Sequence, residues 1–172
     1  YLHTALVMAS ATSKALQRLT KEKAKKWPKI VNGHCEQPDE ADPYTWNLWV
    51  YGPEKYEVDG TERPCPYAGK QFKVILKYPT DYPFNGPEMK FETGKLLHPN
   101  VNNDTGEMCM EGIEGADLTV DKRAAHIVGF LAKPNVGNPQ DDGTATMMMD
   151  KIEEYEAKAK EWAAKAPDAP SA

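Results

Sequence analysis

Residues 82–110 read YPFNGPEMKFETGKLLHPNVNNDTGEMCM, and the interpretation of the whole chain starts from this stretch. Its prolines, at positions 83, 87 and 99, fix the backbone φ angle and disfavour helix at the residue before each of them. The apolar residues between the prolines argue against disorder; they are Met89, Phe91, Leu96 and Leu97. We therefore expect an ordered, mostly non-helical path that presents the thiol of Cys109.

Length and charge exclude several classes of protein. A chain of 172 residues is long enough for one domain with a single core. The net charge of −5 argues against a general nucleic-acid binder, which would carry basic patches. Residues 1–11 are mildly apolar but too short to span a bilayer, and they lack the basic start of a signal peptide. We interpret them as an N-terminal extension of a soluble chain.

The three cysteines, at positions 35, 65 and 109, do not form a CxxC pair. An odd number of cysteines without such a pair is typical of a reduced, intracellular protein. His34 and Cys35 make at most half of a metal site, because no second pair follows at ligand spacing. We therefore predict that the protein holds no metal.

The first helix is predicted to begin at a cap on Thr12 or Ser13 and to end near Trp27, before Pro28. Its apolar residues share one face at helical spacing: Leu16, Leu19, Ala24 and Trp27. Basic residues form a stripe on the other face: Lys14, Arg18, Lys21 and Lys25. By itself such a stripe is typical of a solvated helix face.

Four short stretches alternate between apolar and polar residues, or are short and apolar, and predict strands. They span residues 30–35, 45–51, 71–78 and 89–91. Strands that follow one another between turn residues predict an antiparallel meander with one face covered by helices. Residues 54–66, which contain Cys65, are charged and rich in turn residues, and we interpret them as a surface loop.

Two helices are predicted after Cys109. The first, from about residue 118 to 132, carries an apolar stripe of Val120, Ala124, Ile127, Val128 and Leu131, and leaves His126 on the surface. The last, from about residue 146 to 166, aligns Met148, Ile152, Tyr155, Ala159 and Trp162, so that one of the three methionines at 147–149 is buried. Residues 167–172 are predicted to be a disordered tail, which leaves 12–166 as the domain.

The motifs in this order resemble the ubiquitin-conjugating (E2) family. The strongest is HPN at 98–100 with Cys109 downstream, after YPF-x-x-P at 82–87. The others that match are Trp46, Gly52-Pro53, Pro66-Tyr67-Ala68-Gly69, Thr80-Asp81, Lys133-Pro134-Asn135, Tyr155, Ala159 and Trp162, so that the resemblance covers about residues 14 to 166. It implies the α/β (α+β) UBC-like fold: an N-terminal helix, a four-stranded antiparallel meander, a catalytic loop, and central and C-terminal helices.

The resemblance implies that Cys109 accepts the C-terminal carboxyl of ubiquitin, or of a ubiquitin-like protein, as a thioester. Asn100 then either stabilises the negative charge that develops on the thioester oxygen or braces the loop by bonding to backbone, and both roles stay open. His98 and Pro99 are expected to be structural at this site. A cysteine hydrolase that uses Cys109 and His98 is a remote alternative, since no carboxylate at an evident spacing completes a triad.

Partners follow from the same resemblance. The first helix of the family helps to bind the activating enzyme (E1) and the ligase (E3), which assigns this contact to Lys14, Arg18 and Lys21. The Phe of YPF, here Phe84, belongs to the ligase surface of the family, although a proline-flanked aromatic can equally fill a core. The family completes that surface with a tryptophan and a Ser-Pro-Ala-like loop, whereas residues 111–119 (EGIEGADLT) are shorter and lack both. Ligase binding of the RING type is therefore in doubt.

A second departure concerns the acid that orients or deprotonates the incoming lysine in many members of the family. Asn138 stands at this position, before Pro139, while Asp141 and Asp142 lie close by in sequence and are possible substitutes. An uncharged side chain does not favour deprotonation of an ammonium as a carboxylate does. We therefore expect discharge to lysine to be slow or specialised. The spacing HPNV-x-x-x-TGE-x-C at 98–109 is reminiscent of the peroxisomal-import branch of the family.

The predicted function is an E2 enzyme that transfers its modifier from Cys109 to a substrate lysine, with an activating enzyme and a ligase as partners and no cofactor. We expect it in the cytoplasm or nucleus, with association at the peroxisomal surface as a further option, and without a transmembrane segment or nucleic-acid partner. The alternative is a catalytically weak or inactive E2-like variant that acts as a ubiquitin-binding module.

Overall fold

The described chain contains a four-stranded antiparallel sheet, a separate two-stranded hairpin and four α-helices. The structure is a computed structural model that describes residues 2–108, 113, 115 and 117–170, with side chains from residue 14 onward. In chain order, the elements are α1 (Leu2–Lys26), a 3-10 turn (Trp27–Lys29), β1 (Gly33–Glu36), β2 (Thr45–Tyr51), β3 (Lys55–Val58), β4 (Thr61–Pro64), β5 (Gln71–Lys77), β6 (Glu88–Phe91), α2 (Val120–Ala132), α3 (Asp142–Asp150) and α4 (Ile152–Ala163).

The main sheet has the order β1-β2-β5-β6, with each strand antiparallel to its neighbour. Its buried face comes from the alternating residues Trp46, Leu48, Val50, Phe72, Val74, Leu76, Met89 and Phe91. Period-two alternation puts such residues on one side of a pleated sheet, where the helices cover them. The meander and the mixed α/β fold predicted from the sequence are confirmed.

Helix α1 is longer than predicted, and its buried face lies elsewhere. The helix begins at Leu2, so Thr12 and Ser13 lie inside it and the predicted cap is wrong. The residues that face the core follow helical spacing; they are Ala15, Leu19 and Glu22. Ala24, which was assigned to the apolar face, is exposed. A prediction from apolar residues alone could not include a buried glutamate. It therefore placed the buried face of α1 at a different position around the helix axis.

Residues 54–66 contain a β-hairpin, so the prediction of a surface loop was wrong. Strands β3 and β4 pair through a turn in which Asp59 and Gly60 both have positive φ, 49° and 73°. Asp-Gly is the pair that two-residue type I′ hairpin turns favour, so the sequence did carry the signal. Tyr56, with only 2% of its surface exposed, packs the hairpin against the core.

Helix α2 buries the predicted stripe, and it buries one residue more. Val120, Ala124, Ile127 and Leu131 are fully buried, Val128 is half-buried, and His126 is exposed as predicted. Arg123 is also fully buried on this helix. A buried arginine is rare unless its donors are paired, and the sequence did not predict it.

Two helices replace the single C-terminal helix that was predicted. Helix α3 begins after Asp141, whose side chain accepts from the N–H of Thr144 (2.8 Å), and the chain leaves the helical region at Lys151 (φ −145°, ψ 61°). Nothing in the sequence explains that break. Of the three adjacent methionines Met148 is the buried one, as expected.

The tail from Pro167 to Pro170 is paired with the main sheet and is not frayed as predicted. The carbonyl of Pro167 accepts from the N–H of Gln71 (3.0 Å), and the N–H of Ala169 donates to the carbonyl of Gly69 (2.9 Å). The expectation for residues 171 and 172 lies outside the described residues.

Candidate active site

The His98-Pro99-Asn100 turn is buried beneath the loop that follows α2. His98 is fully buried and Asn100 is 2% exposed. The N–H of Asn100 donates to Nδ1 of His98 (3.1 Å), so the neutral imidazole carries its proton on Nε2. Burial lowers the pKa of His98 to about 3, and the backbone of Phe130 opposes this shift. The imidazole is therefore neutral near pH 7 and is shielded from solvent, which suits a structural group better than a general base.

The side chain of Asn100 bridges the turn to the loop of residues 134–138. Its Nδ2 donates to the carbonyl of Asn135 (2.7 Å) and to that of Asn138 (3.3 Å). Its Oδ1 accepts from the N–H of Asn135 (2.8 Å). These three contacts use both hydrogens of the amide and one lone pair of its oxygen, which is the arrangement that a bracing role requires.

Further hydrogen bonds lock the same loop onto the turn. The carbonyl of Pro99 accepts from the N–H groups of Gln140 (2.7 Å) and Asp141 (3.0 Å). Nδ2 of Asn103 donates to Oδ2 of Asp141 (2.8 Å) and to Oγ1 of Thr144 (3.0 Å). Irregular backbone inside a fold must satisfy its polar groups in this way, so the turn and the loop form one rigid unit.

Two tyrosines support the turn from inside. The hydroxyl of Tyr67 donates to the carbonyl of Leu97 (2.5 Å) and lies 2.5 Å from the hydroxyl of Tyr155. Both tyrosines are fully buried. They connect the chain just before His98 to the C-terminal helix α4, and they account for two of the motif residues on which the family resemblance rested.

The described chain returns to the turn just before Cys109. Met108 forms an isolated bridge with Val101, next to Asn100. Gly106 makes this return possible, since its φ is +75° and a Cβ there would lie 2.0 Å from the carbonyl oxygen of Phe91. Gly106 therefore allows a tight turn just before Cys109, whereas Cys109 itself lies outside the described residues.

A cleft of about 500 Å³ opens beside Asn100, between helix α2 and the 134–138 loop. Its wall includes Ile113, His126, Phe130 and Lys133. The lining combines apolar side chains with amide and cationic groups, a mixture that is typical of binding sites.

Cys35 and Cys65 are in environments that oppose nucleophilic chemistry. Cys65 is 6% exposed, and burial raises the pKa of its thiol to about 12. Burial also raises the pKa of Cys35 far above its ordinary value. Because the thiolate is the reactive form, neither group is poised to react near neutral pH.

Asn138 and the nearby acids are arranged differently from what the sequence suggested. Asn138 is exposed in the 134–138 loop, and its hydrogen bond with Asn100 is made by its backbone carbonyl. Asp141 uses both carboxylate oxygens, one to cap α3 and one to accept from Asn103. Asp142 is exposed. Of the two acids considered as substitutes for the family's acid, Asp142 is therefore the one with an available carboxylate.

Phe84 projects into solvent, with 75% of its surface exposed. The alternative that it fills a core is therefore wrong. The turn that carries it is anchored underneath, because the hydroxyl of Tyr82 donates to Oε2 of Glu22 (2.7 Å). An exposed aromatic residue on an anchored turn suits contact with a partner.

The basic residues assigned to partner contact lie along the outer side of α1. Lys14 and Lys21 are exposed, and Arg18 is half-buried with its Nε 3.6 Å from Oε2 of Glu22. Arg18 therefore contributes to the internal structure as well as to the charge of this face.

Sequence reasoning missed two buried charged residues near the site, Glu22 and Arg123. Glu22, 3% exposed, accepts from the hydroxyl of Tyr82 and, through Oε1, from the N–H of Val120 (2.7 Å) at the start of α2. Arg123 contacts the chain between Cys109 and α2. In each helix, the charged residue stands at helical spacing from buried apolar residues. This spacing was the signal available in the sequence.

Comparison with known proteins agrees with this fold and site. The family model for ubiquitin-conjugating enzyme matches residues 14–163. Ubiquitin-conjugating enzyme E2 1 of Schizosaccharomyces pombe is 32% identical over 109 residues, which cover 62% of this chain and 50% of that protein. The chain thus spans about half the length of this curated relative.

Two solved structures are similar over most of the chain. A protein from Plasmodium yoelii, described as a candidate ubiquitin conjugating enzyme, has a TM-score of 0.75 at 28% identity, covering 91% of this chain and 97% of that one. The E2 domain of a Toxoplasma gondii ubiquitin conjugating enzyme has a TM-score of 0.73 at 31% identity, covering 88% and 99%.

The chain therefore belongs to the ubiquitin-conjugating enzyme family, and it has the UBC-like fold. The resemblance seen in the sequence is confirmed at that level, whereas the nearer likeness to the peroxisomal-import branch stays a prediction. Among the described residues, no helix is both long and apolar enough to cross a membrane.

Proposed function

We propose that this protein is an active E2 enzyme, which accepts ubiquitin or a ubiquitin-like protein as a thioester on Cys109 and transfers it to a substrate lysine. The observation that carries the proposal is the locked turn of His98, Pro99 and Asn100. Asn100 of this turn lines the cleft, and Val101, the next residue, bridges to Met108, which precedes Cys109 in the chain. The family match supports the same reading.

Loading is an exchange of thioesters. The sulfur of Cys109 attacks the carbonyl carbon of the modifier's C terminus, which is held as a thioester on a cysteine of the activating enzyme. A new carbon–sulfur bond forms and the activating enzyme's cysteine leaves as a thiolate. Cys109 is the thiol left for this step, because burial suppresses the thiolate form of Cys35 and Cys65.

Discharge transfers the acyl group to nitrogen. A lysine amine attacks the same carbonyl carbon, Cys109 leaves as a thiolate, and the amine loses its proton to solvent or to a nearby base. Negative charge develops on the carbonyl oxygen as the bond to nitrogen forms. Asn100 assists either by offering a donor to that oxygen or by holding the cleft in shape, and its hydrogen bonds favour the second role.

The proposed partners are the modifier, an activating enzyme, a ligase and a substrate protein. The basic side of α1, with Lys14, Arg18 and Lys21, is the proposed contact for the activating enzyme and the ligase, and Phe84 is a second ligase contact. Basic residues on an exposed helix face steer acidic surfaces toward it. We propose that the protein acts in the cytoplasm or nucleus, and that it uses no cofactor of its own.

Incubation with an activating enzyme, ATP and ubiquitin, followed by a non-reducing gel, tests the proposal. We expect an adduct that reductant removes and that Cys109→Ala abolishes. Cys109→Ser should form a slower adduct that resists reductant, because an oxyester replaces the thioester. Failure of the wild-type chain to form an adduct with ubiquitin or any ubiquitin-like protein would favour the alternative, a ubiquitin-binding module.

A further inference from the structure

Arg123 lies in the core of the protein, and its guanidinium donates hydrogen bonds to backbone carbonyls of a single loop. The side chain is fully buried on helix α2. Nε donates to the carbonyl of Ile113 (3.2 Å), Nη2 donates to the carbonyl of Gly115 (2.6 Å), and Nη1 donates to the carbonyl of Leu118. All three acceptors lie between Cys109 and α2. We call the described residues of this stretch, which are Ile113, Gly115 and residues 117–119, the connector.

Within the described part of the chain, the guanidinium of Arg123 is paired with backbone carbonyls and not with carboxylates. Across residues 2–108, 113, 115 and 117–170, none of the ion pairs involves Arg123. A buried guanidinium must have its donors satisfied, since desolvation of an unpaired cation is unfavourable. The connector therefore gains its shape from Arg123, and Arg123 is stable in the core because of the connector.

Described contacts fix the chain on both sides of the connector. Before it, Met108 bridges Val101; after it, the N–H of Val120 donates to Glu22. Arg123 supplies the attachment between these two. Loss of Arg123 would remove three hydrogen bonds from the connector, and irregular backbone with fewer contacts can adopt more conformations.

The connector also reaches the candidate active site. Ile113 is 2% exposed and lines the cleft together with Asn100, and it is the carbonyl of this residue that Nε of Arg123 holds. A shift of the connector would thus change the wall of the cleft opposite the locked turn. Misplacement of reacting groups by about 1 Å slows catalysis about 100-fold.

We propose that Arg123 is a positioning residue for the thioester chemistry of Cys109. It touches neither the modifier nor the acyl carbon, and it acts by fixing the connector that follows Cys109 and walls the cleft. This inference rests on the proposed function, because it names a residue that serves the same site.

The test compares Arg123→Met and Arg123→Lys with the wild-type chain. Initial rates of thioester formation, measured against the concentration of activating enzyme, separate kcat from KM for loading. For Arg123→Met we expect kcat to fall about 100-fold with KM within about twofold, since α1, the proposed docking surface, is unchanged. Arg123→Lys should lie between, because one ammonium keeps the charge but cannot span three carbonyls.

Arg63→Met is the matched control. Arg63 is also an arginine that is held within the fold, but it bonds to Glu156 on α4 through Nε (2.6 Å) and Nη2 (3.1 Å), and it does not contact the connector. Thermal melts report the stability of every variant. If loss of stability alone slowed loading, the fall in kcat of Arg63→Met and Arg123→Met would be proportional to the fall in their melting temperatures. We expect only the Arg123 variants to lose it.

Amide hydrogen exchange gives a readout that does not depend on activity. In Arg123→Met or Arg123→Lys, the amides of residues 113–118 should exchange at least about tenfold faster, while those of β2 and β5 keep their protection. Unchanged exchange in the connector, or an unchanged kcat in both Arg123 variants, would overturn the inference. A wild-type chain that forms no thioester would overturn the proposed function instead, and the exchange result would still decide whether Arg123 holds the connector.

Discussion

The side-chain amide of Asn100 already donates to two carbonyls and accepts one N–H, so its ordinary hydrogen bonds all lie within the loop beside it. To stabilise an oxyanion it would have to give up one of these contacts. Bracing and charge stabilisation are therefore competing uses of one group, and they predict different consequences of its removal.

Asn100→Ala should load from the activating enzyme at a normal rate and discharge to free lysine about 100-fold more slowly. It should also lower the free energy of unfolding by about 1–3 kcal/mol, because the polar groups of Asn135 and Asn138 lose partners. Single-turnover discharge and urea unfolding measure the two effects.

Asn103→Ala is the control, because it removes a brace of the same loop with no proposed role at the oxyanion. A similar slowing in both variants would assign the effect to bracing. Discharge by Asn100→Ala at the wild-type rate would remove Asn100 from the mechanism altogether.

Asn138→Asp should speed discharge to free lysine. A carboxylate at this exposed position would favour removal of the proton from the incoming ammonium, and general-base assistance of this kind is typically worth about 100-fold. The rate should rise most near neutral pH, where most lysine is protonated. Asp142→Asn tests whether the neighbouring exposed acid already helps to deprotonate the incoming lysine. An unchanged discharge rate in both variants would contradict a role for a carboxylate at either residue.

At the scale of single elements, the turn that carries Phe84 is a surface feature with an internal anchor. Tyr82 is buried and bonded to Glu22, which also contacts the first N–H of α2. One carboxylate thus holds α1, the Phe84 turn and α2 in a fixed relation. The charged surface of α1 and the exposed ring of Phe84 are consequently held in a fixed relative position.

Phe84→Ala should change the free energy of unfolding by less than about 0.5 kcal/mol, because the ring is mostly in solvent. Discharge stimulated by a ligase should fall at least about tenfold, since an exposed aromatic contact carries much of the energy of an interface. Met149→Ala, another exposed apolar residue, is the control. Ligase stimulation equal to wild type would exclude Phe84 from the contact.

The hairpin β3–β4 is anchored to α4 by one carboxylate. Glu156 accepts from the hydroxyl of Tyr56 (2.7 Å) and from Arg63, and Arg63 is the main cause of the lowered pKa of Glu156. On the other side of the hairpin, Glu57 in β3 pairs with Lys133, the residue that follows α2 (2.9 Å). The hairpin is therefore ordered and contacts a residue that lines the cleft.

Glu156→Ala should lower the free energy of unfolding by about 1–3 kcal/mol, since the hydroxyl of Tyr56 and the guanidinium of Arg63 both lose their acceptor. Chemical denaturation measures the change. Glu154→Ala is the control, because its contact with Lys151 is exposed and worth at most about 1 kcal/mol. Equal effects of the two substitutions would contradict the anchor.

At the scale of the whole molecule, His98 couples folding to pH. Its pKa in the folded protein is about 3, against an ordinary value of 6.5. Above pH 6.5 neither state binds the proton. Below pH 6.5 the unfolded chain binds a proton at His98 and the folded chain does not. Acid therefore favours unfolding, and the free energy of unfolding falls by up to about 1.4 kcal/mol per pH unit.

Urea unfolding between about pH 7.5 and pH 5 should therefore show a loss of stability in the wild-type chain that is smaller in His98→Gln. His126→Gln, which replaces an exposed histidine, should follow the wild-type profile. Parallel profiles for the wild-type chain and His98→Gln would contradict a buried, neutral imidazole.

Periodicity in the sequence was enough to predict the main sheet and the apolar stripe of α2, because both depend on which residues face one core. It was not enough for Glu22 and Arg123, whose partners are distant in the chain or are backbone groups without a sequence signature. The hairpin was missed although Asp59-Gly60 predicted its turn, since charged residues around it favoured a loop interpretation. Asn100 was identified as important, but only the structure shows what its amide contacts.

The central claim is that Cys109 is the thiol that carries the modifier. Intact mass measurement of the loaded enzyme, followed by peptide mapping, tests it most directly. We predict one added mass equal to the modifier less one water, sensitive to reductant and located on the peptide that contains Cys109. An adduct on the peptides of Cys35 or Cys65, or a mass that survives Cys109→Ala, would contradict the account.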